Sequence, residues 1–201
     1  YCSVSFRSLQ KIMISAILLA AGQSKRMDGE NKLTKEIQGT PLIKHSVKNI
    51  LASSIDELIV VLGYQKEIIE NLLDKNEKIK VFFNRNFESG IASSIKTGLG
   101  HLSEKNESFF ICLGDMPLVN HDIYNQIIRS KNNKEIIVPT YKGQQGNPVL
   151  FSNSMKDEIM NIQGDIGAKK ILELNKDKIF NLEINDQSIT KDFNTKSNFN
   201  S

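Results

Sequence analysis

Met13-Ile14-Ser15-Ala16-Ile17-Leu18-Leu19-Ala20-Ala21-Gly22 admits two readings, and each sends the rest of the chain to a different fold. Arg7 and Lys11 precede an apolar run from Ile12 to Ala21 that ends in Ala-Ala-Gly, the layout of a signal peptide. The same residues also form a buried first strand over residues 14–19, with Met13 as the natural start. A signal peptide leaves everything after Gly22 unexplained. A strand followed by a small-residue loop opens an alternation that continues down the chain. The strand reading prevails, with residues 13–195 as one domain, residues 1–12 as an N-terminal extension and residues 196–201 as a tail.

Downstream, short apolar runs at residues 57–62, 80–83, 109–113 and 135–138 read as strands covered on both faces, since they are apolar almost continuously. Between them, residues 41–52, 66–73, 91–102 and 121–129 carry apolar side chains at helical spacing. Thr40 stands where an N-cap belongs, with Pro41 at the first helical position. After Pro139 the pattern changes. Residues 141–146 are turn-rich, 148–151 and 178–184 read as strands, and 154–162 and 166–174 as helices. This alternation predicts an α/β fold, a single-domain, doubly wound and mostly parallel sheet with helices on both faces.

Composition narrows the function classes. The 201 residues are 39% hydrophobic and 24% charged, enough for one buried core. A formal net charge of +3, with lysines scattered among acidic residues, argues against nucleic acid or a membrane surface as partner. No apolar run reaches the ~18–20 residues of a membrane span. Cys2 and Cys112 have no partner at metal or disulfide spacing, which predicts a buried, inert Cys112 and a cytoplasmic location. His45, His101 and His121 share no metal-binding spacing and read as ordinary helix residues.

In open parallel sheets, ligands bind beyond the carboxyl ends of strands, near the switch point in strand order. Five segments stand there. Leu19, Ala20, Ala21, Gly22, Gln23 and Ser24 form a small-residue loop that lets backbone N–H groups approach a ligand, and Arg26 and Lys32 add cations suited to a polyphosphate. The loop is neither a Walker loop nor a G-x-G-x-x-G fingerprint, and a charged surface loop explains its spacing equally well. Asp115, after the strand at 109–113, is placed to hold a hard cation such as Mg²⁺, or to bond its own turn. Gly90, Ser93 and Ser94 offer hydroxyls and N–H groups to a ligand, although a helix cap is the simpler reading. Asn147 lies in Gly-Asn-Pro. Asp165 lies in Gly-Asp-Ile-Gly-Ala, where it also suits an N-cap.

In this order, the five blocks resemble the MobA-like NTP transferase family over nearly the whole chain. The family's Leu-Ala-Ala-Gly-x-Ser-x-Arg-Met-Gly followed by Lys matches Leu19 to Met27 and Lys32, with Asp28 where Gly is usual. Its Gly-Asp-Met-Pro matches Gly114 to Pro117 in full, and its Gly-x-x-x-Ser-x-x-x-Gly-Leu matches Gly90, Ser94, Gly98 and Leu99. Gly146 to Pro148 and Gly164 to Ala168 match two further blocks. Asp192-Phe193-Asn194-Thr195 stands in place of Asp-x-Asp-Thr, so Asn194 keeps an oxygen ligand but loses a charge. Ala20-Ala21-Gly22, rather than Ala-Gly-Gly, is similar to the cytidylyl-transferring branch and favours CTP over GTP.

The resemblance implies a Rossmann-like, Mg²⁺-dependent nucleotidyltransferase. It would move CMP from CTP to the terminal phosphate of molybdopterin and release pyrophosphate. Arg26 and Lys32 would act on the triphosphate, and Asp115, with Asn194 as a second ligand, would hold the metal. Residues 19–24, Gly90, Ser93 and Ser94 would bind the nucleotide, and Asn147 and Asp165 the acceptor. A molybdoenzyme or its chaperone is the implied protein partner. The alternatives are guanylyl transfer, another small phosphorylated acceptor, and a non-catalytic protein that binds and delivers a nucleotide or cofactor.

Overall fold

A computed structural model describes residues 13–24, 30–161 and 168–193. Its elements run β1 (Met13–Ala20), β2 (Glu36–Ile37), β3 (Thr40–Pro41), α1 (Leu42–Leu51), β4 (Glu57–Leu62), α2 (Lys66–Leu72), β5 (Ile79–Phe83), α3 (Ile91–Gly100) and β6 (Asn106–Leu113). They continue as α4 (His121–Arg129), β7 (Ile136–Tyr141), β8 (Gln144–Gln145), β9 (Val149–Ser152), α5 (Lys156–Met160), α6 (Ala168–Leu174) and β10 (Ile179–Glu183).

The main sheet has the order β10-β7-β9-β6-β1-β4-β5, with β8 pairing onto β7. β1 lies between β4 and β6 and is parallel to both, and β4 is parallel to β5. The chain therefore builds outward from β1 through β4 to β5, then returns to place β6 on the other side. That reversal creates a crevice beyond the carboxyl ends of β1 and β6. β9 runs antiparallel to both β6 and β7, while β10 is parallel to β7. The fold is the expected α/β class, a mostly parallel sheet with helices on both faces.

Strand alternation divides the apolar side chains between two cores. Ala16 and Leu18 of β1, Leu58 and Val60 of β4 and Phe110 of β6 face α1, α2 and α4. Ile17, Ile59, Val61, Phe109 and Ile111 face α3, α5 and α6. Continuous apolarity in these strands follows from both faces being covered.

α3 reaches β1 closely at Gly98, where an added Cβ would stand 2.3 Å from Ile17 Cγ2. Ile17 is 0% exposed and has no room to retreat. Gly98→Ala should therefore destabilise the protein by about 2 kcal/mol, overpacking outweighing a gain of about 1 kcal/mol in helix propensity. A urea melt showing no loss would contradict this packing.

Two local expectations shift. The helix expected at 41–52 is Leu42–Leu51, and Thr40 is not its cap. Gln38 (φ 51°) and Gly39 (φ 74°) form a two-residue hairpin turn, and Thr40 pairs with Ile37 instead. The strand expected to end at Val138 continues through Pro139 to Tyr141. The missing N–H of Pro139 falls between two antiparallel partners, because pairing with β9 ends at Ile137 and pairing with β8 begins at Thr140.

Candidate active site

β1 and β6 end level with one another, Leu19 beside Leu113, and the next residue, Gly114, donates its N–H to the Leu19 carbonyl at 3.1 Å. Gly114 is hemmed in: a Cβ there would lie 3.1 Å from that carbonyl oxygen and 3.2 Å from Leu33 Cδ2. α1 grips the following turn. The Ser46 hydroxyl donates to the Gly114 carbonyl at 3.0 Å, and the Asn49 amide to the Pro117 carbonyl at 2.9 Å. Asp115 is thus aimed by a turn fixed from two sides.

Lys32 is placed as firmly. Asn31, 2% exposed, caps the 3₁₀ turn Lys32–Thr34 by accepting from the Leu33 N–H at 3.1 Å. Ser24, in a left-handed conformation (φ 50°), accepts from the Lys32 N–H at 3.1 Å, which closes the loop after β1 onto the lysine. The Tyr64 N–H donates to the Ala21 carbonyl at 3.3 Å and joins the loops after β1 and β4. Lys32 Nζ meets Asp115 Oδ2 at 2.5 Å, with side-chain exposures of 19% and 13%. The two charged groups expected to act on a metal triphosphate therefore sit together at the switch point and neutralise each other.

A groove of about 380 Å³ opens over this pair, lined by Leu19, Ala21, Gly22, Gly90 and Ser94 among others. A larger hollow of about 1160 Å³ lies at the opposite strand ends around Asp56, Asn106 and Glu107. There the lysines and carboxylates are mixed around an open bowl, whereas the smaller groove has the Lys32–Asp115 pair beside the small residues Ala21 and Gly22. Chemistry, not size, selects the smaller one. Gly22 supports the choice: its φ is not positive, and a Cβ there would meet nothing within 4 Å among the described residues. Among the described residues, the packing does not demand glycine at this position. Ala20 contributes backbone only, since its methyl packs in the core. Gln23 donates to Glu88 at 3.3 Å across the groove mouth.

At the α3 side, Asn84 donates to the hydroxyls of Ser93 (2.8 Å) and Ser94 (3.0 Å). The Ser93 hydroxyl is also within reach of the Gly90 (2.8 Å) and Asn86 (2.9 Å) carbonyls and does not line the groove, so Ser93 braces the loop. Asn147 precedes the antiparallel β9. It stands two residues before Val149, which pairs with Ile111, and it does not line the groove. Its N–H donates to the Ile189 carbonyl at 2.8 Å. Phe193 N–H donates to the Asp115 carbonyl at 2.9 Å, which ties the C-terminal segment to the metal-candidate turn. Arg26, Asp165 and Asn194 lie outside the described residues.

Sequence reasoning missed Asn31, Ser46, Asn49, Tyr64 and Asn84, which hold the site without facing it. Asn31 had a local signal, an Asn two residues before an apolar side chain at a helix start. The others act across nine or more residues or through backbone carbonyls, which no spacing rule detects.

Cys112 is buried behind this edge, and burial pushes its thiol up to about 12. Its neighbour Tyr124 is likewise held well above the ordinary tyrosine range, by burial first and by Cys112 second. The thiol therefore stays protonated in the folded state, while the unfolded chain ionises it near its ordinary value. This contribution to stability is complete below about pH 9 and declines as pH rises toward 12. Folded protein should leave Cys112 unmodified by a thiol reagent at pH 8, and labelling at the rate seen in denaturant would contradict its burial.

The sequence profile described as the MobA-like NTP transferase domain matches residues 16–179, most of the chain. The chain belongs to the MobA-like NTP transferase family. It is 30% identical over 139 residues to the molybdenum cofactor cytidylyltransferase of Escherichia coli, covering 69% of this chain and 70% of that protein. It is 28% identical over 151 residues to a probable molybdenum cofactor guanylyltransferase of Methanosarcina mazei, covering 72% and 66% respectively. Against the bifunctional protein GlmU of Staphylococcus epidermidis it is 25% identical over 143 residues, 71% of this chain but only 31% of that protein. The chain thus spans about a third of that relative's length. A nucleotidyl transferase from Methanothermobacter thermautotroptrophicus superposes with a TM-score of 0.80 at 20% identity, covering 93% of this chain and 94% of that one. The nucleotidyltransferase class agrees with the aligned charges at the switch point. Among the described residues no helix is long and apolar enough to cross a membrane.

Proposed function

We propose that this nucleotidyltransferase transfers CMP from CTP to the terminal phosphate of a molybdopterin-type acceptor and releases pyrophosphate. The observation that carries the reading is the Lys32–Asp115 pair at the carboxyl ends of β1 and β6, beneath a groove floored by Ala21 and Gly22. The acceptor's phosphate oxygen attacks the α-phosphorus in line with the departing pyrophosphate, and the protein's part is alignment and charge stabilisation. Lys32, held beside Asp115, meets the triphosphate, and Arg26 adds a second cation. The N–H groups of residues 21–24 face the phosphates, Gly90 and Ser94 the nucleoside, and Asn147 and Asp165 the acceptor.

The donor set fits a divalent cation such as Mg²⁺. Asp115 is a hard oxygen donor, and no group of three or more His, Cys, Asp or Glu side chains suits a metal among the described residues. A cation here would take most of its ligands from phosphates and water, as Mg²⁺ does in nucleotide sites, with Asn194 as a neutral second protein ligand. When bound, it supplies neutralisation of the triphosphate's charge. Ala21, rather than glycine, at the loop's second small position favours cytosine over guanine. Partners beyond the two substrates would be a molybdoenzyme or its chaperone, in the cytoplasm.

The test is pyrophosphate release with Mg²⁺ and molybdenum-loaded cofactor, with CTP, GTP and ATP in separate reactions. Release with CTP well above that with GTP is expected. Preference for GTP would move the chain to guanylyl transfer. Release only with phosphorylated sugars or alcohols would replace the acceptor.

A further inference from the structure

Asn84 directly follows β5 and is 4% exposed. Both hydrogens of its side-chain amide are used, one on Ser93 Oγ at 2.8 Å and one on Ser94 Oγ at 3.0 Å. Its Oδ1 accepts from the Asn86 N–H at 2.9 Å. A backbone N–H can only donate, so the amide cannot be turned over, and both serine oxygens must accept. Ser93 then places its own hydrogen on the Gly90 or Asn86 carbonyl. Ser94 differs: no described residue takes its hydrogen, and Ser94 lines the groove over Lys32 and Asp115.

We infer that Asn84 is a positioning residue that keeps the Ser94 hydrogen uncommitted, so that Ser94 can donate it in the groove to an acceptor atom on the nucleoside. This rests on the nucleotide reading of the groove. A hydroxyl normally rotates to suit whatever it meets. Here one of its two lone pairs is held by Asn84, which takes no hydrogen in return and so leaves the Ser94 hydrogen for the groove. A nucleoside edge presenting a carbonyl or unprotonated ring nitrogen is satisfied there.

Asn84→Asp tests this, because the carboxylate keeps its shape and its bond from Asn86 yet has no hydrogen to give. Ser93 and Ser94 must then donate to it, and the Ser94 donor is lost from the groove. Calorimetric binding of CTP with Mg²⁺ should weaken by about tenfold in Asn84→Asp and in Ser94→Ala, the size of one neutral hydrogen bond. The double variant should be no weaker than either single one. A merely structural Asn84 would lower thermal stability while leaving CTP affinity at the wild-type value, and that result overturns the inference. Losses that multiply to about a hundredfold in the double variant overturn it too, because the residues would then act separately. Should Asn84→Asp not fold, Ser94→Ala alone decides, with unchanged affinity as the contradicting result. Wild-type protein that binds no CTP, GTP or ATP would bring down the nucleotide reading itself, and this inference with it.

Discussion

Replacing Lys32 with alanine should lower kcat by about 10²-fold or more, the scale of one lost charge contact in a transition state, or about 2.7 kcal/mol of barrier. The lysine is not a mobile surface cation. Its backbone is fixed by Ser24, its turn is capped by Asn31, and its ammonium is already within 2.5 Å of the carboxylate beneath the groove. A residue held this way delivers its charge to the triphosphate without a search, so loss should appear in kcat as well as in the KM for CTP. Lys32→Arg should recover only part of the rate, since a planar guanidinium cannot occupy the ammonium's position between Asp115 and the ligand. Steady-state kinetics of the three proteins check this. Near-wild-type kcat in Lys32→Ala would remove the residue from the chemistry.

The second large effect belongs to Asp115. Asp115→Ala should abolish divalent-dependent turnover, and Asp115→Asn should lie close to it, because the amide keeps the turn but not the charge. The fold should survive both changes. The turn is held by bonds to backbone atoms, from Ser46 to Gly114 and from Asn49 to Pro117, and none of these passes through the Asp115 side chain. Rates measured across a Mg²⁺ titration, with circular dichroism as a control for folding, separate the two roles. A variant that keeps its activity and its metal dependence would place the metal elsewhere.

Much of the sheet could be read from runs such as residues 57–62 and 109–113, because a strand buried on both faces leaves no polar interruption. Two stretches were harder to read, each for a local reason. Thr40 has the composition of a cap, but the left-handed Gln38-Gly39 turn commits it to a hairpin. Pro139 looks like a strand end until its missing N–H is found to fall between two partners. Of the candidate site, the sequence singled out Asp115 and the loop from Leu19 to Ser24 because they follow strands, and Lys32 as a cation beyond that loop. It could not show that Asn84 ties up Ser93 and Ser94, because hydroxyl hydrogen bonds depend on what stands opposite in space. Nor does the alternation reveal that β9 runs antiparallel to β6 and β7.

The most direct test of nucleotidyl transfer at this site is the fate of CTP labelled at its α-phosphorus, incubated with Mg²⁺ and molybdenum-loaded cofactor. The label should pass to the cofactor in one-to-one proportion with pyrophosphate released, in wild-type protein and not in Asp115→Ala. Label recovered as free CMP, or γ-phosphate recovered as inorganic phosphate, would mean hydrolysis and would contradict the transfer reading.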